Sequence, residues 1–243
     1  LVSPFLSIII PAHNEERRLL HTLEKIFAFL QGQSYAYEVL VVENGSSDRT
    51  YEIALELSRQ YKDLRVLKEE QPGKGKAVCL GMLEAKGEYR FMCDADLSMP
   101  IEELEKFIPS GSDQIDIAIA SREAPGAVRY DEPEYRHLGG RLINFAIRSL
   151  ILPGFHDTQC GFKCFRAEVA EDIFPHQTIS GWSFDIEILF IARKRKYRVS
   201  EIPIHWYFDP ETKLRAIKDA ILMLRDIFLI HWNNLRGLYN PHG

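Results

Sequence analysis

Cysteine is scarce: Cys79, Cys93, Cys160 and Cys164 are the four in 243 residues. That is too few for a disulfide-built scaffold, and a chain this long buries roughly 70–75% of its unfolded surface without covalent help. Two of the thiols stand in apolar stretches, where a free cysteine acts as a small hydrophobe. Cys160 and Cys164 are spaced C-x3-C with no second pair, a weak metal pattern. Reduced thiols in a cytoplasmic setting are therefore expected. Long apolar runs are missing as well. No stretch reaches 18 uninterrupted apolar residues, and residues 1–6 lack the cationic start of a secretory signal, so neither a span nor a leader is expected. Basic charge is not in excess, with 30 Lys and Arg against 35 Asp and Glu. That balance excludes a general nucleic-acid binder. No G-x-G-x-x-G fingerprint or Walker A spacing occurs, which disfavours a dinucleotide cofactor and a P-loop. With no repeat, linker or low-complexity tract, the expected organisation is a main domain over residues 1–213 and a C-terminal amphipathic helix and tail over 214–243.

The first half alternates short apolar runs with helical patterns. Strands are expected at residues 5–11, 38–42, 64–68, 88–93 and 115–120. Helices are expected at 15–31, 48–61 (capped by Ser47), 76–85 and 102–108. This rhythm predicts an α/β fold with a mostly parallel sheet and right-handed crossovers. In such sheets a ligand sits beyond the carboxyl ends of the strands. The polar clusters come after those ends in order: His13-Asn14-Glu15, Glu43-Asn44-Gly45-Ser46, Gly73-Lys74-Gly75-Lys76, Asp94-Ala95-Asp96 and Ser121-Arg122. The second half reads as a polar loop over 123–136, a helix over 138–152, a loop or hairpin over 156–165, a helix over 184–193, a strand over 199–206 and a long helix over 213–233.

Asp94 and Asp96 lie one residue apart, so both point to one face of an extended chain. They repel unless a cation or donor neutralises them, and hard oxygens suit Mg²⁺ or Mn²⁺. Such a metal offsets the charge of a departing nucleoside diphosphate. A solvated turn capped by Ser98 explains the pair equally well in isolation. Gly73-Lys74-Gly75-Lys76 offers close backbone approach and positive charge to a phosphate, or simply a flexible strand-to-helix turn. Glu43-Asn44-Gly45-Ser46-Ser47-Asp48 suits a turn with a helix start, and its carboxylate also suits a base N–H or a ribose hydroxyl.

Together, Pro11-Ala12-His13-Asn14-Glu15, Glu43 to Asp48, Gly73-Lys74-Gly75 and Asp94-Ala95-Asp96 resemble the inverting family-2 glycosyltransferases of the GT-A fold. Ser121-Arg122, Asp157 to Lys163, Trp182 to Glu187, Ile204-His205-Trp206 and Thr212-Lys213-Leu214 narrow the resemblance to the polyprenyl-phosphate glycosyltransferases. The dolichyl-phosphate glucosyltransferases are the more similar branch and the dolichol-phosphate mannose synthases the more distant. One departure is Glu43-Asn44, where the family usually carries two aspartates; the glutamate keeps an acceptor at longer reach.

The resemblance implies a nucleotide-sugar-binding α/β/α sandwich with a UDP-sugar as donor and a polyprenyl phosphate as acceptor. Pro11, Ala12, His13, Glu15, Glu43, Asn44 and Gly45 would frame the base and ribose. Lys74, Asp94 and Ala95 would face the nucleotide, and Asp96 would hold the metal. Arg122, with Arg136 or Arg141, would bind the acceptor phosphate; Gly140 stands where a serine often occurs. A phosphate acceptor is already anionic, so guanidinium groups matter more than a base. Asp157, Asp185 and Glu187 are the carboxylates available for sugar hydroxyls or as a base. Asp185 and Glu187 equally suit a charged helix start.

The basic run Arg193 to Arg198 and the apolar faces of the helices at 138–152 and 214–232 suit peripheral contact with a membrane at its cytoplasmic face, or respectively a solvated helix end and core packing. A GDP-mannose-dependent synthase is the alternative within the family. Outside it, Asp94-Ala95-Asp96-Leu97-Ser98 approaches an aspartyl-phosphate phosphatase loop, although it comes after the fourth strand rather than the first. A non-catalytic nucleotide-binding module is the third reading.

Overall fold

The computed structural model describes residues 3–108, 115–133, 150–209 and 216–240, the stretch 216–220 by its backbone. Its strands are β1 (Leu6–Ala12), β2 (Tyr37–Glu43), β3 (Leu64–Lys68), β4 (Tyr89–Met92), β5 (Ile117–Ser121), β6 (Val128–Tyr130), β7 (Lys163–Arg166), β8 (Val199–Pro203) and β9 (His205–Tyr207). The helices are α1 (Leu19–Gln31), α2 (Thr50–Ser58), α3 (Lys74–Glu84), α4 (Ala167–Ile173), α5 (Phe184–Lys194) and α6 (Ala216–Leu235).

Seven strands form one sheet in the order β3-β2-β1-β4-β7-β5-β8, and β6 pairs with β9 beside it. The pairs β1–β2, β2–β3, β1–β4 and β5–β8 are parallel, whereas β7 is antiparallel to both β4 and β5. Reversing one strand restores the direction of the next. The carboxyl ends of β1 to β5 therefore share a rim, and β7 starts there. Residues of β1 feed two apolar layers. Ile9 joins Leu40, Val42, Met92 and the inner faces of α3, α4, α5 and α6. Ile8 and Ile10 join Val39, Val41, Phe91, Leu23 and Ile26 under α1 and α2. Burial on both sides explains the unbroken apolar runs.

Several boundaries move for local reasons. Helix α1 starts at Leu19 rather than residue 15, and the Glu15 N–H ahead of it donates to Thr50 Oγ1 at 2.7 Å. Ser47 does not cap α2; its N–H donates to Asn14 Oδ1, and Asp48 Oδ1 accepts the Thr50 N–H at 3.0 Å. The helix expected at 102–108 is a 3-10 segment, Ile101–Lys106. The strand expected at 199–206 breaks at Ile204, where the chain leaves the main sheet to pair with β6. Most of the helix expected at 138–152, and the 213/214 boundary, lie outside the described residues.

Candidate active site

The first two rim loops are laced together. A carbonyl can only accept, so His13 donates from Nδ1 to Asn44 O, 2.7 Å away. Asn14, with φ of 54°, donates its N–H to Ser46 Oγ. Glu43 Oε1 accepts the Ser46 N–H at 2.5 Å. Asn44 is a brace: its N–H reaches Ala12 O, its amide donates to Gln71 O at 2.6 Å, and its oxygen accepts the Gly73 N–H at 2.7 Å. Pro11, Ala12, His13, Glu15, Glu43, Asn44 and Gly45 thus form one shelf, with Glu43 and Asn44 buried inside it.

Beside the shelf, β4 ends in the paired carboxylates. Thr22 Oγ1 donates to Ala95 O at 2.6 Å and pins the loop, while Leu97 takes φ of 47°. Asp96 Oδ1 accepts the Ser98 N–H. Asp96 is exposed, yet partial desolvation by the packed loop, and then Asp94, raises its carboxyl above the ordinary range. Lys74 Nζ lies 2.6 Å from Asp94 Oδ1 and over the Trp182 ring. Burial alone would lower the lysine, but Asp94, Asp185 and Asp96 outweigh it and hold Lys74 above its usual value. Asp94 rests directly on Gly161, where a methyl group would meet its carboxyl carbon at 2.5 Å.

Two hard carboxylates close together on one loop carry like charge that a divalent cation would relieve, so Asp94 and Asp96 fit Mg²⁺ or Mn²⁺. No cluster of three or more His, Cys, Asp or Glu side chains stands ready for a metal among the described residues. Further ligands would therefore come from a bound diphosphate and water.

Sequence reasoning gave Lys163 no role. Its ammonium is fully buried at the rim, 2.6 Å from Asp185 Oδ1 and 2.5 Å from Cys160 O. The signal was the lone charge in the apolar run after Gly161, but β7's reversal is what brings it to the rim. Asp185 is raised by burial, opposed by Lys163 and Lys74, and so sits between two cations.

Across β7 stands Arg122. Its Nε and Nη2 clasp Asp157 at 2.6 and 3.0 Å, and its N–H donates to the same carboxylate. Burial would raise Asp157, but Arg122 brings it down to about 2. Asp157 is therefore committed to orienting Arg122 and is not free for a sugar hydroxyl or as a base. The Arg122 and Arg129 guanidinium groups each lie over the Trp206 ring, 5.6 Å from its centre. Arg136 and Arg141 lie outside the described residues. Glu187 is displaced from its expected role too. It is fully buried and accepts from the Thr178 N–H and hydroxyl, the Ile179 N–H and the Tyr239 hydroxyl. Four donors fill its acceptor sites, leaving none for a sugar.

A shelf at the end of β1 and β2, paired carboxylates after β4 and a mostly parallel sheet define a glycosyltransferase of the GT-A fold. The chain belongs to glycosyl transferase family 2, whose family model matches residues 7–174. It is 32% identical to the dolichyl-phosphate beta-glucosyltransferase of Saccharomyces cerevisiae over 259 residues, covering 98% of this chain and 77% of that protein. It is 30% identical to the Homo sapiens protein of the same name, covering 96% and 77%. Its fold is similar to that of glucosyl-3-phosphoglycerate synthase from Mycobacterium tuberculosis in complex with UDP, with a TM-score of 0.68 at 16% identity over 99% of this chain and 82% of that one. The same synthase in complex with Mn²⁺ and UDP-glucose gives a TM-score of 0.63 at 16% identity, covering 99% and 80%.

Proposed function

We propose that the protein is a metal-dependent inverting glycosyltransferase that moves glucose from UDP-glucose to a polyprenyl phosphate such as dolichyl or undecaprenyl phosphate. The observation that carries this reading is the arrangement of charge on either side of β7. Asp94 and Asp96, with Lys74 against them, lie just past β4, Arg122 lies just past β5, and β7 separates them. Two strand spacings put about 10 Å between the two groups, room for a sugar between donor diphosphate and acceptor phosphate. The relatives named dolichyl-phosphate beta-glucosyltransferase support the acceptor and the sugar. The fold neighbour crystallised with Mn²⁺ and UDP-glucose supports the donor and the metal.

In this mechanism the His13–Glu43 shelf receives the uracil and ribose, and Lys74 leans toward the diphosphate. A divalent ion on Asp96 and Asp94 would supply charge compensation to the leaving UDP. Arg122, fixed by Asp157, presents the lipid phosphate to the anomeric carbon. An oxygen of that phosphate forms the new bond as the bond to UDP breaks on the opposite face, with no proton to remove. Asp185, paired with Lys163, would accept from a sugar hydroxyl that reaches it.

The acceptor also argues for a lipid surface. Helix α6 packs inward through Met223, Ile227 and Ile230, yet Ile221, Leu224, Phe228, Trp232 and Leu235 line its outer side and are exposed, with Arg225 and Arg236 beside them. No helix among the described residues is long and apolar enough to cross a membrane. A peripheral seat at the cytoplasmic face fits that stripe and four free thiols.

The test is a donor panel of UDP-glucose, UDP-N-acetylglucosamine and GDP-mannose with a short polyprenyl phosphate, reading lipid product and released nucleotide with and without Mg²⁺ or Mn²⁺. Metal-dependent glucosyl lipid is expected. Preference for GDP-mannose, hydrolysis of phosphate monoesters without transfer, or nucleotide binding without turnover would each replace this reading with another.

A further inference from the structure

Glu187 lies away from the sugar site, yet its hydrogen bonds lead back to it. The segment at 177–183 is the seat of Lys74. The Gly75 N–H donates to Ser180 O at 2.8 Å, Gln177 Nε2 donates to Gly75 O at 2.8 Å, and Trp182 lies against the lysine. Side chains at Gly73 or Gly75 would strike Ser180 O or Ile179 O, so the two segments meet backbone to backbone. Glu187 holds this seat through Thr178 and Ile179 at 2.6–2.9 Å. The same carboxylate takes the Tyr239 hydroxyl at 2.6 Å, and Asn233 Nδ2 donates to both Thr178 Oγ1 and Tyr239 Oη. A continuous path therefore runs from Tyr239 through Glu187, Ser180 and Gly75 to Lys74 and Asp94. Residues 177–239 lie beyond the stretch matched by the family model.

We propose that Glu187 is a positioning residue which, with Tyr239, fixes the 177–183 segment so that Lys74 stands at the nucleoside diphosphate. This rests on the reading of the shelf and Lys74 as a UDP-sugar site. Burial and Glu187 raise the Tyr239 phenol above its ordinary value, so the hydroxyl stays a donor at neutral pH. The C-terminal segment thus completes the donor side of the site without touching the substrate.

The experiment compares Glu187→Gln and Tyr239→Phe in the full chain with the wild type. Phe27→Leu, in the apolar layer on the other face of the sheet, is the control for general destabilisation. Hydrogen exchange of residues 73–80 is measured in the free protein. UDP affinity with Mn²⁺ is measured by calorimetry, and KM for donor and for acceptor by transfer assay. Both variants should raise exchange at 73–80 and raise the Kd and donor KM by about two- to tenfold, with acceptor KM unchanged. Phe27→Leu should do neither. Tyr239→Phe decides alone if Glu187→Gln does not fold. Unaltered exchange at 73–80, or an equal rise in Phe27→Leu, would overturn the proposal. Failure of the wild-type protein to bind UDP would instead sink the donor reading, while the exchange result still decides the clamp.

Discussion

Replacing Gly161 by alanine tests the site at its tightest point. The added methyl would stand 2.5 Å from the Asp94 carboxyl carbon, about 0.9 Å inside ordinary contact, and 3.2 Å from Asp94 Cβ. Asp94 cannot swing clear without cost, because Lys74 holds Oδ1 at 2.6 Å. Overpacking of this kind costs about 1–3 kcal/mol of stability, and a displacement near 1 Å in a reacting site costs about a hundredfold in rate. Urea unfolding and steady-state transfer, with donor and acceptor varied separately, measure the two effects. Because the clash is with the Asp94 carboxyl group, Gly161→Ala should add little in an Asp94→Ala background, so the two effects should not sum. A Gly161→Ala enzyme with wild-type turnover, or a cycle in which the losses simply add, would refute the placement of Asp94 over Gly161.

Asp96→Asn should separate stability from function. A carboxyl raised by folding withdraws stability as pH climbs through its unfolded value toward its folded one, so its charge opposes the unliganded fold at neutral pH. Asp96 is exposed, so solvent screens most of that effect, and the variant should leave Tm unchanged or slightly raised while losing transfer by about a hundredfold or more, whereas a clearly lowered Tm would contradict the argument. Asp157→Asn has the opposite sign. Folding depresses Asp157 to about 2, so its contribution is present above the unfolded value near 4 and is lost as pH falls toward 2. The variant takes the charged partner from the part-buried Arg122 guanidinium, at a cost of about 1.5–3 kcal/mol at pH 7. Urea titrations from pH 7 to pH 2 should show that gap closing, and a constant gap would refute it. Phe228, 72% exposed, should serve the lipid surface and not the core. Phe228→Asp should cut sedimentation with anionic vesicles and leave Tm unchanged, whereas unchanged sedimentation would remove α6 from the interface.

The donor half was legible because its logic is local. Apolar runs mark β1 to β4, and the loops leaving those runs must gather at the same end once the strands are parallel. The convergence of His13, Glu43, Lys74 and Asp94 needed nothing further. The acceptor half was legible in its residues but not in their roles. Nothing in the residues 163–166 encodes direction, so the reversal of β7, and with it the place of Lys163 opposite Met92 and Ile119, could not be read. Asp157 and Glu187 were recognisable as carboxylates in a suggestive setting. Whether a carboxylate meets a substrate or its own chain depends on long-range partners, here Arg122 at 35 residues' separation and Tyr239 at 52. The family resemblance carried what composition could not, namely the sugar and the lipid.

The lone reversed strand bears on how such a catalyst diversifies. The chain leaves the rim after Ser121 and returns to it at Lys163, which pairs with Ile119. Everything in between is an excursion whose two ends are anchored side by side. Exposed positions of that excursion can drift with no displacement of the nucleotide shelf, much as variable loops drift over a constant scaffold, whereas Gly161 under Asp94 cannot. On the proposed acceptor role of Arg122, exchanging the segment before Gly161 between relatives should carry acceptor preference with it while donor chemistry stays put.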